Sequence, residues 1–137
     1  MANLEVAVLE SLAAFGRRDI DRMGELVTAD FVDHAAPPGL TPGPTKWMEF
    51  MRSLNGLFGI QYEVQDVVVG ADRVAVRALA RGVHDSDHFV PATGKPFEMA
   101  TMHFYRVVPE SGLIAEHWAV RDELGVAVTV GALPARR

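Results

Sequence analysis

The 137 residues contain no cysteine. That excludes disulfides, a thiol nucleophile and any cysteine-ligated zinc or iron–sulfur site. Long apolar runs are missing as well, and none approaches the roughly 18 residues that a membrane span needs. The opening Met1-Ala2-Asn3-Leu4-Glu5 carries no basic region of the kind that begins a targeting segment. The expectation is therefore a cytoplasmic protein. Positive charge is scarce too: thirteen lysines and arginines face eighteen acidic residues, for a formal charge of −5. An acidic chain argues against nucleic acid or an anionic membrane as partner. Repeats, low-complexity tracts and linkers are also absent.

What is present suits a globular protein. Apolar residues make up 49% of the chain, enough for a sizeable core, and the length fits one domain over 1–137. The first part reads as helical. Leu4, Val8, Leu12 and Phe15 recur at helical spacing over residues 3–16, and Gly16 stands where the helix would end. Asp19 has the character of an N-cap for a short second helix. Phe31-Val32-Asp33-His34 is a short extended segment, and Ala36-Pro37-Pro38-Gly39 must be loop. A third helix starts near Thr41-Pro42-Gly43-Pro44, with Trp47, Phe50, Met51, Leu54 and Leu57 on one stripe.

From Ile60 the period changes to two. Strands are expected at 60–69, 73–84, 97–108 and 113–122, joined by turns at Gly70-Ala71-Asp72, Pro91–Pro96 and Pro109–Gly112. Val74, Val76, Ala78, Ala80 and Gly82 share one face of the second of these strands, and Arg73, Arg77 and Arg81 the other. Helices first and an antiparallel meander after make an α+β fold. A curved sheet wrapped around the helices would form a cone with one open mouth.

Period-two parity on the last strand puts Ile114, Glu116, Trp118, Val120 and Asp122 on one face, read as buried, with His117 on the outside or at a subunit contact. Two readings of Asp122 follow. Against apolar surface its pKa would rise and suit a general acid or base. At a strand end it would reach water and cap Leu124-Gly125-Val126. His84 has inward parity, His103 lies mid-strand, and neutral imidazoles of this kind donate hydrogen bonds or relay protons. His84-Asp85-Ser86-Asp87-His88 raises the question of a metal, yet the spacing matches no strong ligand signature. Phosphate-loop, dinucleotide and nucleophile-elbow motifs are missing.

Four stretches resemble the SnoaL-like polyketide cyclases of the nuclear transport factor 2-like (cystatin-like) superfamily. They are Phe31-Val32-Asp33-His34 with the proline–glycine loop behind it, Gly82-Val83-His84, Pro91–Pro96, and Ile114-Ala115-Glu116-His117-Trp118 running to Asp122. The resemblance spans roughly residues 5–134. It implies a cone-shaped α+β barrel, with N-terminal helices packed on a strongly curved, mostly antiparallel sheet. It also implies a deep pocket and a homo-oligomer (dimer or tetramer) packed through the sheet. The implied reaction is an intramolecular aldol ring closure without metal or organic cofactor, with Asp122 as acid/base and His84, His103 and His34 as partners. The implied substrate is hydrophobic or polyphenolic. Trp118, Trp47, Phe50, Phe31 and Met51 are the further expected pocket residues. Two alternatives stay open: a same-fold isomerase or epoxide hydrolase, which would need Glu116 and Arg106 or Arg121 to converge with Asp122, and a non-catalytic binding protein.

Overall fold

The computed structural model describes residues 3–135; Met1, Ala2, Arg136 and Arg137, which the expected domain includes, lie outside it. The elements run α1 (Glu5–Gly16), α2 (Ile20–Glu25), β1 (Val27–Asp33), α3 (Pro44–Ser53), a single 3-10 turn at Leu57–Gly59, β2 (Gln61–Val69), β3 (Arg73–Val83), β4 (Pro96–Val107), β5 (Ile114–Arg121) and α4 (Glu123–Thr129). The five strands form one open sheet in the order β1-β5-β4-β3-β2. Only the β1–β5 pair is parallel; the other three pairs are antiparallel. The α+β architecture read from the order of sequence periods is the one observed.

Local chemistry explains most boundaries. Asp19 caps α2, its carboxylate accepting from the Arg22 amide. Pro44 opens α3, where a missing N–H costs nothing. The apolar stripe that would carry this helix to Leu57 is cut at Ser53, because Asn55, Gly56, Phe58 and Gly59 all take positive φ. Such a run cannot continue a right-handed helix.

Burial in β4 alternates along nearly the whole strand, with Phe97, Met99, Thr101, His103, Tyr105 and Val107 inward. β3 answers with Val74, Val76, Ala78 and Ala80, each no more than 1% exposed. Large side chains on β4 thus face small ones on β3, which leaves room between sheet and helices. The core divides accordingly. A larger cluster joins α1, α2 and α3 to the sheet around Val8, Trp47 and Ile114. A smaller one gathers Phe58, Phe97, Met99 and Val126 at the other end.

β5 departs from simple alternation. Arg106 pairs with Glu116 but Val107 pairs with Ile114, so Ala115 is an extra residue in the ladder. This bulge puts both Ile114 and Ala115 in the interior and then inverts the parity of the rest of the strand. His117 and Arg121 turn toward the cavity, and Trp118 and Val120 turn away from it. The expectation that Glu116, Trp118, Val120 and Asp122 share the buried face is corrected by this one inserted residue.

Gly82 marks a close approach. A Cβ there would lie 2.9 Å from the Phe58 carbonyl oxygen and 2.9 Å from the Phe97 ring. Gly82→Ala should therefore lower stability by about 1–3 kcal/mol, read as a lower urea midpoint with an unchanged slope.

Candidate active site

Between the helices and the concave face of the sheet lies a cavity of about 460 Å³. Its walls are mostly apolar. Of the expected pocket residues, Trp47, Phe50, Phe31 and Met51 line it, and His103 reaches it from β4. Six of the polar groups on the wall are concentrated on neighbouring strands: Asp33 at the end of β1, His103 and Tyr105 on β4, His117 and Arg121 on β5, and Tyr62 on β2. Strand register brings them together. Tyr105 pairs with His117 and Thr101 pairs with Arg121, while Asp33 stands beside His117 on the parallel neighbour.

Three of these side chains, with Thr101 behind them, form a continuous hydrogen-bonded chain. Asp33 Oδ1 lies 2.9 Å from His117 Nδ1. His117 Nε2 lies 3.0 Å from His103 Nδ1. His103 Nε2 lies 3.0 Å from Thr101 Oγ1, and Thr101 Oγ1 donates to the Ala78 carbonyl at 2.8 Å. Asp33 is fixed from behind by the Trp47 indole N–H at 2.9 Å and by the Ala35 amide at 2.9 Å.

The far end of the chain sets every proton. A carbonyl cannot donate, so the hydroxyl hydrogen of Thr101 points at Ala78. Thr101 must then accept from His103, whose proton sits on Nε2. Burial, reinforced by the charges of His117 and Arg121 and opposed by Asp33, pushes the His103 pKa down to about 3. His103 is therefore neutral, its Nδ1 is a bare acceptor, and His117 Nε2–H donates to it. The contact between His117 Nδ1 and Asp33 Oδ1 holds one further proton, since a bare nitrogen would face a carboxylate lone pair. Burial acts to raise the Asp33 carboxyl, but the bond and charge of His117, the Ala35 amide and the Trp47 indole outweigh it and hold it below its ordinary value. That proton lies between the His117 ring and the Asp33 carboxylate.

Beside this chain, on the same sheet, stand two phenols. Tyr105 is 4% exposed, and its ring stacks on His117 at 4.6 Å. Tyr62 meets His103 edge-on at 5.3 Å. Burial raises both phenols, Tyr105 well above the ordinary value; for Tyr62, Arg121 opposes the rise by charge and hydrogen bonding.

The other expected residues lie elsewhere. Asp122 is exposed, outside the cavity wall, and its carboxylate accepts from the Gly125 amide at 2.9 Å as the N-cap of α4. Of its two sequence readings, the geometry matches the cap. Asp122→Ala should cost about 1 kcal/mol of stability through loss of that cap, measurable as a lower melting temperature. His84 is fully buried, yet off the cavity wall. Its Nε2 donates to the His88 carbonyl at 2.8 Å, and its Nδ1 accepts from the Thr93 amide at 3.1 Å. It thereby pins the base of the loop that carries His88 and Phe89 over the cavity. His34 and Trp118 stack on each other at 4.7 Å, away from the main cavity. His34 borders a separate hollow of about 260 Å³ beneath the proline loop. Glu116 bonds His34 at 2.8 Å and Arg106 at 2.7 Å, so this pair does not converge with Asp122 in the cavity. No group of three or more potential metal ligands assembles among the described residues.

Sequence reading missed Asp33, Tyr62 and Tyr105, placed His117 on the outside, and weighed Arg121 only for the epoxide-hydrolase alternative. Asp33 and His117 each adjoin a residue that was singled out, but choosing between neighbours required the β5 bulge. Tyr62 and Tyr105 carried a signal in their inward parity on strands that were correctly placed.

The comparisons with known proteins bear on this geometry. No curated protein sequence matches the chain. Among solved structures, IdmH from Streptomyces antibioticus, provisionally described as a polyketide cyclase, is 31% identical with a TM-score of 0.81, over 95% of this chain and 99% of that one. AclR from Streptomyces galilaeus, provisionally described as a hydroxylase, is 25% identical with a TM-score of 0.81, over 100% and 90%. A SnoaL-like polyketide cyclase from Agrobacterium tumefaciens shares the fold at 18% identity and a TM-score of 0.76, over 96% and 100%. The family model of the SnoaL-like polyketide cyclases matches residues 6–128. With that match spanning nearly the whole sheet and helical layer, the chain belongs to the SnoaL-like polyketide cyclase family.

Proposed function

We propose that the protein closes a ring in a polyketide-type substrate by intramolecular aldol addition, and that the Asp33–His117 pair moves the proton. Family membership supports the cyclase-type role. The observation that carries the assignment is the hydrogen-bonded chain Asp33–His117–His103–Thr101, whose first three members line an apolar cavity. Asp122, the acid/base that the resemblance implies, lies outside that wall.

The chemistry balances as follows. An enolate carbon attacks a carbonyl carbon of the same molecule, and a carbon–carbon bond forms. In this reading His117 rests with a proton on each ring nitrogen; the carbonyl π electrons move to oxygen, and that oxygen displaces His103 Nδ1 as acceptor of the His117 Nε2 proton and takes it. His117 is left with Nδ1–H held by Asp33 and a bare Nε2 facing the lone pair of His103. Two lone pairs at that separation repel, so Nε2 readily regains a proton. The source is the next substrate, from a carbon flanked by two carbonyls. The apolar wall supports folding of a hydrophobic chain into an attack geometry.

The outer face of the sheet supports assembly. Met102, Phe104 and Val120 are 52%, 44% and 70% exposed there, which suits packing of one copy against another through the sheet.

The test is a panel of linear poly-β-carbonyl esters with chromatographic detection of the cyclised product. Turnover by the parent and its loss in His117→Gln supports the reading; equal turnover by that variant overturns it.

A further inference from the structure

The acid/base chain has no spare donor, because each of its N–H and O–H groups already meets an acceptor within the protein. Donor capacity beside the chain lies on Tyr62, Tyr105 and Arg121, whose guanidinium bonds the Tyr62 oxygen and keeps further N–H groups to donate. Neither phenol hydroxyl has a protein acceptor among the described residues, and no buried polar side-chain atom is left unsatisfied. The Tyr105 hydroxyl is therefore not sealed in the core, although the residue is 96% buried by its 4% exposure; it opens on the cavity. Arg121, an exposed residue that also lines the cavity, makes no ion pair among the described residues, in contrast to Arg106 on β4, which pairs with Glu116. Two carboxylates also line the cavity. Asp33 is matched by His117, and Glu123 follows Arg121 by two positions.

A cation and two phenols that converge in an apolar cavity lack one thing, an acceptor carrying negative charge spread over neighbouring oxygens. We infer that Tyr62, Tyr105 and Arg121 form a subsite for a delocalised oxyanion, and that the group it takes is the enolate of a β-dicarbonyl unit. The inference rests on the reading that this cavity holds the substrate, but not on which residue moves the proton. It complements that reading: a subsite that binds the enolate faces a resting acid, His117, ready to protonate the oxygen formed on ring closure.

Calorimetric titration with three flat probes tests it. Lawsone ionises to a vinylogous carboxylate that mimics the enolate, its methyl ether is the neutral control, and naphthoate is a simple carboxylate. Lawsone is expected to bind about tenfold tighter than its ether, and more tightly than naphthoate. Arg121→Gln should bring lawsone and ether within about twofold of each other. Tyr105→Phe, which keeps the ring stacked on His117, should weaken lawsone several-fold and leave the ether unchanged. Tighter binding of naphthoate than of lawsone would keep the oxyanion subsite but reassign it to carboxylates, against the enolate. Equal affinity for lawsone and ether, no binding of either, or a preference that survives both substitutions overturns the subsite. Asp33→Asn separates the two proposals: it should cut turnover by a factor of about 10²–10⁴ while leaving the preference for lawsone intact.

Discussion

Asp33→Asn is expected to reduce kcat for ring closure by a factor of about 10²–10⁴, with little change in KM. Asparagine is nearly isosteric and can still accept from His117. It carries no charge, so the imidazolium that the carboxylate stabilises is lost, and with it the resting acid. Because Asp33 stands behind His117, bonded to Nδ1 and not to the atom that meets substrate, the loss should fall on kcat. Asparagine also has one acceptor oxygen where the carboxylate has two. One of Trp47, Ala35 and His117 then loses its partner, which should cost about 1–3 kcal/mol. Thermal melting distinguishes that structural cost from the catalytic one. Asp122→Asn provides the contrast. Asparagine caps helices about as well as aspartate, so turnover should stay within about twofold if Asp122 serves only α4. A collapse of activity in Asp122→Asn with full activity in Asp33→Asn would return the acid/base role to the residue that the resemblance implies.

Acid should unfold the protein through His103. In the unfolded chain this histidine titrates near its ordinary 6.5, and in the fold near 3. Between those values the unfolded state binds one more proton, so falling pH favours unfolding. The slope from this group is up to about 1.4 kcal/mol per pH unit. Above pH 6.5 both states are unprotonated and the contribution is flat. Asp33 adds at the acid end: its carboxyl is held below the ordinary 3.8, so the stability it provides is present above that value and lost as pH falls through the folded pKa. Urea unfolding from pH 7 down to pH 4 should show the decline, and subtracting the curve of His103→Gln isolates it. The variant should be less stable at neutral pH, because Thr101 and His117 lose a matched partner, yet flatter below. Parallel curves for the two proteins would contradict a neutral, buried His103.

The fold was legible because its signals are local and repetitive. The stripe from Trp47 to Met51 and the alternation through β3 and β4 each declare which face is buried. The polar part of the site was legible only where alternation ran unbroken. His103 lies on such a strand and was found. On β5 a single extra residue, Ala115, exchanges the roles of His117 and Trp118 and carries Arg121 into the cavity. Nothing in the composition of Ile114–Arg121 announces that bulge, since it arises from pairing with β4. Asp33 was hidden for a related reason. Its importance comes from β1 pairing parallel with β5, 84 positions along the chain. His84 illustrates the opposite case. Its inward parity was read correctly, but a buried histidine that bonds two backbone groups of one loop is a fastening, and parity alone does not separate a fastening from a ligand contact.

The most direct measurement of the central claim is a nitrogen-resolved NMR spectrum of the histidine side chains of the ligand-free protein at neutral pH. The account predicts a His117 ring protonated on both nitrogens, its Nδ1 proton shifted far downfield by Asp33, and a neutral His103 ring carrying its proton on Nε2. A neutral His117, or a His103 protonated on Nδ1, would contradict the proton assignment on which the proposed acid rests.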